Sequence, residues 1–158
     1  MRFLFYDRVD LLEEGRRIVG TKTFALSEEY LEHHFRHQAL VPGVILMEAM
    51  AQLLGWAVVQ AHAFERSAIV SLIEGFSMTK ARLRPGFAAT ITGEILSNSP
   101  TDSLGRASIE VAGEPLASAE RIIYTHFSAR DPRALEALFR YCSGLERRPT
   151  LGKGASDA

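Results

Sequence analysis

The chain has 158 residues, 47% of them hydrophobic, which suits one packed domain and is too short for two of ordinary size. Its 18 basic and 19 acidic side chains give a formal net charge of -1, which excludes a global field directed at nucleic acid or an anionic membrane surface. Cys142 is the only cysteine, so an intramolecular disulfide and a multi-cysteine metal site are excluded, and a reducing, cytoplasmic setting is expected.

Residues 4–12 and 16–24 have strand patterning and are joined through Glu13-Glu14-Gly15, where glycine can take the positive φ of a tight turn. An opening hairpin is expected. Asp7 and Arg8 interrupt the first apolar run before a signal-peptide core would be complete. Ser27, followed by Glu28, Glu29, Tyr30 and Leu31, predicts a short serine-capped helical turn that ends near the histidines.

Val41-Pro42-Gly43 introduces a helix over about 42–60, with proline at the start and alanine, leucine and methionine favouring helix over strand. Residues 44–59 are almost unbroken in apolar character, yet the run falls short of the ~20 residues of a membrane span and carries Glu48 and Gln52. A core helix without membrane insertion is expected. A helix apolar nearly all round has no wet face, so something must wrap it.

Beyond Ala61-His62-Ala63 the pattern shifts to strand lengths at 68–76, 77–83, 87–96, 106–111 and 116–127, separated by turns at Arg84-Pro85-Gly86, Asn98-Ser99-Pro100 and Ala112-Gly113-Glu114-Pro115. The expected order is a hairpin, a buried helix and an antiparallel meander. A single curled sheet around one central helix meets these burial demands, giving an α+β class. The domain is expected over 1–130, a C-terminal helix over 131–142 and a loose, Gly-, Ser- and charge-rich tail over 143–158.

Chemistry concentrates between His34 and Gln52. Histidine is the side chain whose ordinary pKa lies near neutrality, and apolar surroundings favour the neutral form of a carboxyl group. His34 on a loop and Glu48 within an apolar helix are therefore types suited to removing one proton and delivering another. Gln52 follows Glu48 by four residues and shares its helical face. Gly43 stands at the helix start, where N–H groups lack intrahelical partners and the dipole is positive, a place for a substrate carbonyl oxygen to dock.

His34-Phe35, Pro42-Gly43-Val44 and Glu48-Ala49-Met50-Ala51-Gln52 resemble the active-site region of the 3-hydroxyacyl-[acyl carrier protein] dehydratases of fatty acid synthesis, with an ungapped match from His34 to Glu48. A weaker likeness extends over most of residues 5–127. It includes Lys80-Ala81-Arg82-Leu83-Arg84-Pro85-Gly86, similar to the family's basic strand and Pro-Gly turn. The resemblance implies a hot-dog fold and a homodimer, or an assembly of dimers, whose sites each take the histidine from one protomer and the carboxylate from the other. It implies no metal and no organic cofactor. His34 would take the proton α to the thioester carbonyl and Glu48 would protonate the departing 3-hydroxyl, leaving a trans-2-enoyl thioester. Gly43 would hold the oxyanion and Gln52 would support Glu48. The family usually reads Gly-His-Phe-Pro-Gly around its histidine, whereas His33-His34-Phe35-Arg36-His37 brings bulk and charge to that loop.

Other readings attach to the same residues. A hot-dog thioesterase would use Glu48 to activate water, and a non-catalytic protein would only bind acyl thioesters. His33 and His37 share the i, i+4 spacing of a metal site with Glu32 and His34 nearby, but a zinc-protease motif needs glutamate directly after the first histidine, so no metal is expected. Lys80, Arg82 and Arg84 alternate on a predicted strand, so they are expected to project from one face, where an acyl carrier protein or the phosphates of coenzyme A could land. Trp56, Met47 and Met50 are expected in the core, and His62 and His126 show no readable partners.

Overall fold

Apolar and polar side chains alternate along the first two strands, which is the pattern of a sheet with one buried face. In the computed structural model of the chain, which describes residues 3–32, 38–80 and 82–145, these strands form the hairpin β1 (Arg8–Glu13) and β2 (Arg17–Phe24). The Arg16 N–H donates to the Glu13 carbonyl at 3.0 Å, and Gly15 takes φ +65°. The ladder begins at Arg8 rather than residue 4, because a side chain of the central helix engages the backbone of Phe3 and Phe5. After β2 comes a single 3-10 turn, Glu29–Leu31, entered through Glu28 and lacking a side-chain cap. The expected Ser27 cap is thus not formed. So short a turn closes its own donors, with the Leu31 N–H on the Glu28 carbonyl at 2.9 Å.

The central helix α1 spans Gly43–Ala61 and starts from an extended Pro42. Leu46, Met50, Leu53 and Leu54 are fully buried, and each such side chain contributes about 1.5–3 kcal/mol by leaving water. Three strand glycines set how close the helix lies. A Cβ at Gly20 would stand 2.9 Å from Leu53 Cδ1, one at Gly93 3.0 Å from Leu54 Cβ, and one at Gly105 2.6 Å from Leu54 Cδ2. Any larger residue would push α1 off the sheet. By length and composition α1 could cross a membrane, but here it is the core helix, packed against β2, β3, β5, β6 and β7.

The remaining strands are β3 (Arg66–Glu74), β4 (Ser77–Met78), β5 (Phe87–Asn98), β6 (Asp102–Val111) and β7 (Glu114–Ser128). All pairings are antiparallel, in the order β1-β2-β5-β6-β7-β3, with β4 also on β7. The expected antiparallel meander holds for β5-β6-β7, and is corrected for β3 and β4, which pair with β7 instead of preceding β5 in the sheet. Nineteen helical residues carry the chain about 28 Å, so β3 joins the far edge and β5 returns to β2. The expected strand over 77–83 also stops early. In register with Ser77↔Ser118 and Met78↔Ala117, position 80 falls opposite Pro115, which has no N–H to donate. Ala112 and Gly113, both at positive φ, make the two-residue turn between β6 and β7.

Helix α2 (Pro132–Ser143) closes the described chain. The Asp131 side chain accepts from the Ala134 N–H at 3.0 Å, Pro132 opens the first turn, and Gly144 ends the helix at φ +68°. Its Phe139 is buried against Trp56 and Phe64, with ring centroids 5.2 Å and 5.7 Å apart.

Candidate active site

Glu48 and Gln52 are both half-buried and lie one turn apart on α1. Gln52 Nε2 donates to Glu48 Oε1 at 2.8 Å and to the Phe3 carbonyl at 3.1 Å, while Gln52 Oε1 accepts from the Phe5 N–H at 2.8 Å. One amide thus orients the carboxylate and ties down the N-terminal segment. Gly43 begins the helix about 7.5 Å along the axis before Glu48. A Cβ there would stand 3.1 Å from Met78 Sδ and 3.3 Å from Phe76 Cε1, so glycine lets these two side chains pack close against the helix start, and Gly43 is not among the residues that line the cavity beside Glu48.

Glu48 and Gln52 line an open cavity of about 440 Å³ bordered by α1, the start of β3 and Phe3-Leu4. Tyr124 on β7 forms part of its wall. The Tyr124 hydroxyl donates to the Ala51 carbonyl at 2.7 Å, and both burial and the nearby Glu48 carboxylate push its pKa well up, so it remains a donor. Sequence reading passed over Tyr124. The available signal was the inward series Ile122, Tyr124 and His126 on one strand, with a tyrosine among buried positions. Phe3 and Leu4 were missed as well, since they reach the site through Gln52 rather than through a motif.

His34 lies outside the described residues, as do His33, Phe35, Arg36 and His37, so the structure reports on neither the loop nor the His33/His37 metal reading. Glu48 and Gln52 are brought together at one cavity, from the first half and the middle of α1, whereas Gly43 lies at the helix start outside that cavity's lining. Lys80, Arg82 and Arg84 are exposed, but they follow β4 and belong to no strand, which corrects the expectation of one shared strand face. Their segment runs beside the chain that enters α1, with the Val41 N–H donating to the Leu83 carbonyl at 2.7 Å. Arg84 also borders a groove of about 300 Å³ with Leu26, Gln38 and Pro85.

Met50 is a core residue as expected and Trp56 packs on the core while also lining the cavity, whereas Met47 is half-buried and stands outside the core cluster. The histidines without readable partners do have them. The His62 and His126 rings meet edge to face with centroids 4.7 Å apart, His62 bonds Asn98 Oδ1 at 2.8 Å, and Ser103 bridges Asn98 and His126. This pair sits at the opposite end of α1 from Gly43 and takes no part in the site.

The FabA-like domain family matches residues 1–85. A 3-hydroxyacyl-[acyl-carrier-protein] dehydratase FabZ of Desulforamulus reducens is 34% identical over 128 residues, covering 77% of this chain and 85% of the relative. Among solved structures, a dehydratase heterocomplex from Xenorhabdus doucetiae superposes with TM-score 0.65 at 13% identity, covering 85% of this chain and 89% of that one. A thioesterase from Haemophilus influenzae superposes with TM-score 0.60 at 10% identity, covering 78% and 79%. Such low identities speak for the hot-dog fold alone, while the sequence matches carry the family. The chain belongs to the FabA-like, FabZ-type 3-hydroxyacyl-[acyl-carrier-protein] dehydratase family.

Proposed function

We propose that this chain dehydrates 3-hydroxyacyl thioesters carried on acyl carrier protein to trans-2-enoyl thioesters. The observation that carries the reading is Glu48, the carboxylate of a largely apolar helix, held by Gln52 beside a mainly apolar cavity. His34 takes the α proton as base. The electrons form the α,β double bond, and the 3-hydroxyl leaves with a proton from Glu48 as water. The first-turn N–H of Gly43 bears the enolate-like oxygen charge in between, an interaction whose loss typically costs about 3 kcal/mol in other enzymes. Acid-base help of this type contributes about 10² to 10⁴ in rate.

We read the working unit as a homodimer or an assembly of dimers in the cytoplasm, with His34 of one protomer serving Glu48 of the other. Supporting this, β3 is an edge strand that exposes Ile69 and Leu72 while its inner face lines the Glu48 cavity. The basic segment Lys80, Arg82 and Arg84, beside the entry to α1, is the proposed landing site for the acidic carrier. Mass spectrometry of carrier-bound 3-hydroxyacyl substrates tests the reaction. The expected product has lost water and keeps its carrier; release of a free thiol and acid would instead make the protein a thioesterase, and tight binding without turnover would make it a binding protein.

A further inference from the structure

The cavity has a direction. Its α1 wall is made by Glu48, Gln52, Gly55, Trp56 and Val59, spaced so that one continuous stripe runs down the helix. Glu48 to Val59 is eleven residues, about 16 Å of helix. Chemistry sits at one end of this stripe. At the other end the wall is completed by Leu135 from α2, an element beyond residues 1–85 matched by the family.

α2 is fixed there rather than loosely apposed. Phe139, four residues after Leu135 and on the same face, is 4% exposed and packs on Trp56 and Phe64. Midway, Tyr124 presses on the helix at Ala51. Gly55 faces the Tyr124 ring across the cavity wall, where a Cβ would stand in van der Waals contact with Tyr124 Cε1 at 3.4 Å and take up space that glycine leaves free. Glycine within a helix costs about 1 kcal/mol relative to alanine, a cost consistent with the space it leaves. Apart from Ser67, the walls beyond Tyr124 carry no polar side chain.

We infer that α2 is the floor of the acyl pocket, and that Leu135, backed by Trp56 and Phe139, sets the longest chain the enzyme accepts. The inference rests on the dehydratase reading for where the thioester sits. With the reacting carbons at Glu48, about 16 Å of stripe holds an extended saturated chain of roughly a dozen carbons.

Trp56 is the only tryptophan, so the protein carries its own probe near the floor. Saturated acyl-pantetheine thioesters, which have no 3-hydroxyl to lose, are titrated in two-carbon steps while Trp56 emission is followed. Emission is expected to stay near the ligand-free value for four- and six-carbon chains, to shift as the chain approaches a dozen carbons, and affinity is expected to stop rising there. An equal shift at four and twelve carbons, or affinity that keeps rising through sixteen, would overturn the inference.

Turnover profiles of Leu135→Ala and Leu135→Phe on carrier-bound 3-hydroxyacyl chains supply a second arm. The cut-off is expected to move about two carbons longer for Leu135→Ala and about two shorter for Leu135→Phe. Displacement of both cut-offs in one direction, or of neither, contradicts the floor. Length-dependent Trp56 shifts without dehydration of any substrate would leave the pocket standing and remove the dehydratase reading.

Discussion

The Gln52 amide donates to Glu48 Oε1 at 2.8 Å and at the same time clasps the Phe3 carbonyl and the Phe5 N–H. All three contacts depend on one side chain. Gln52→Leu is expected to destabilise the fold by about 1 kcal/mol, since the part-buried Glu48 carboxylate and Phe5 N–H lose their partner while the Phe3 carbonyl can turn to water. It should also lower kcat about ten- to a hundredfold, because a misplaced acid reacts poorly. Thermal melts and steady-state kinetics on one preparation check both, and wild-type kcat in this variant would remove Gln52 from a positioning role.

Lys22 is nearly buried, and its ammonium bonds Glu28 at 2.5 Å and Asp7 at 3.4 Å. The pair joins β2 to the segment leading toward His34. Lys22→Met keeps the stem's bulk but strands a carboxylate, with an expected loss of about 2 kcal/mol, moderated because Glu28 and Asp7 reach water. Denaturant titration reads it. The double variant Lys22→Met/Glu28→Gln should recover part of the loss; no recovery would contradict a specific pair.

The strand glycines beneath α1 make a sharper packing prediction. At Gly105 a Cβ would stand 2.6 Å from Leu54 Cδ2 and 2.7 Å from the Glu94 carbonyl oxygen. Gly105→Ala is expected to cost at least about 2 kcal/mol by overpacking. Gly113→Ala, with no atom within 4 Å but φ +82°, should cost only the smaller penalty of a strained turn. Equal melting temperatures for the two variants would argue against the close helix-sheet approach.

Acid should loosen the end of the molecule that holds His62 and His126. Burial first, then the His62 ring, lowers the His126 pKa below its ordinary 6.5, only partly opposed by Asp102 and the Ser99 and Pro100 carbonyls. Below about pH 6.5 the unfolded chain therefore takes up a proton that the folded chain resists. The stability that His126 contributes above that pH is lost as pH falls toward its folded value, then levels off. Melting curves at pH 5.0 and 7.5 should separate more for wild type than for His126→Asn, and equal separations would exclude His126 as the cause.

Much of this was legible in the sequence because it rests on local rules. Pro42-Gly43 marked the helix start to within a residue, the apolar run of α1 demanded a wrapping sheet, and the i, i+4 spacing joined Glu48 to Gln52. What stayed hidden is tertiary. Pro115 lies 35 positions after Lys80, so nothing local to residues 77–83 revealed that the strand would end there. The use of Phe3, Tyr124 and Leu135 in one cavity required three separate elements to meet at α1.

In the proposed reaction Glu48 and His34 act as an acid and base pair on a 3-hydroxyacyl thioester. Single-turnover water loss from a carrier-bound 3-hydroxyacyl substrate, followed by mass spectrometry in wild type, His34→Ala and Glu48→Gln, tests it most directly. Wild type should convert the substrate, and each variant should be slower by about 10² to 10⁴ while melting near the wild-type temperature. Wild-type rates in both variants would contradict the assignment.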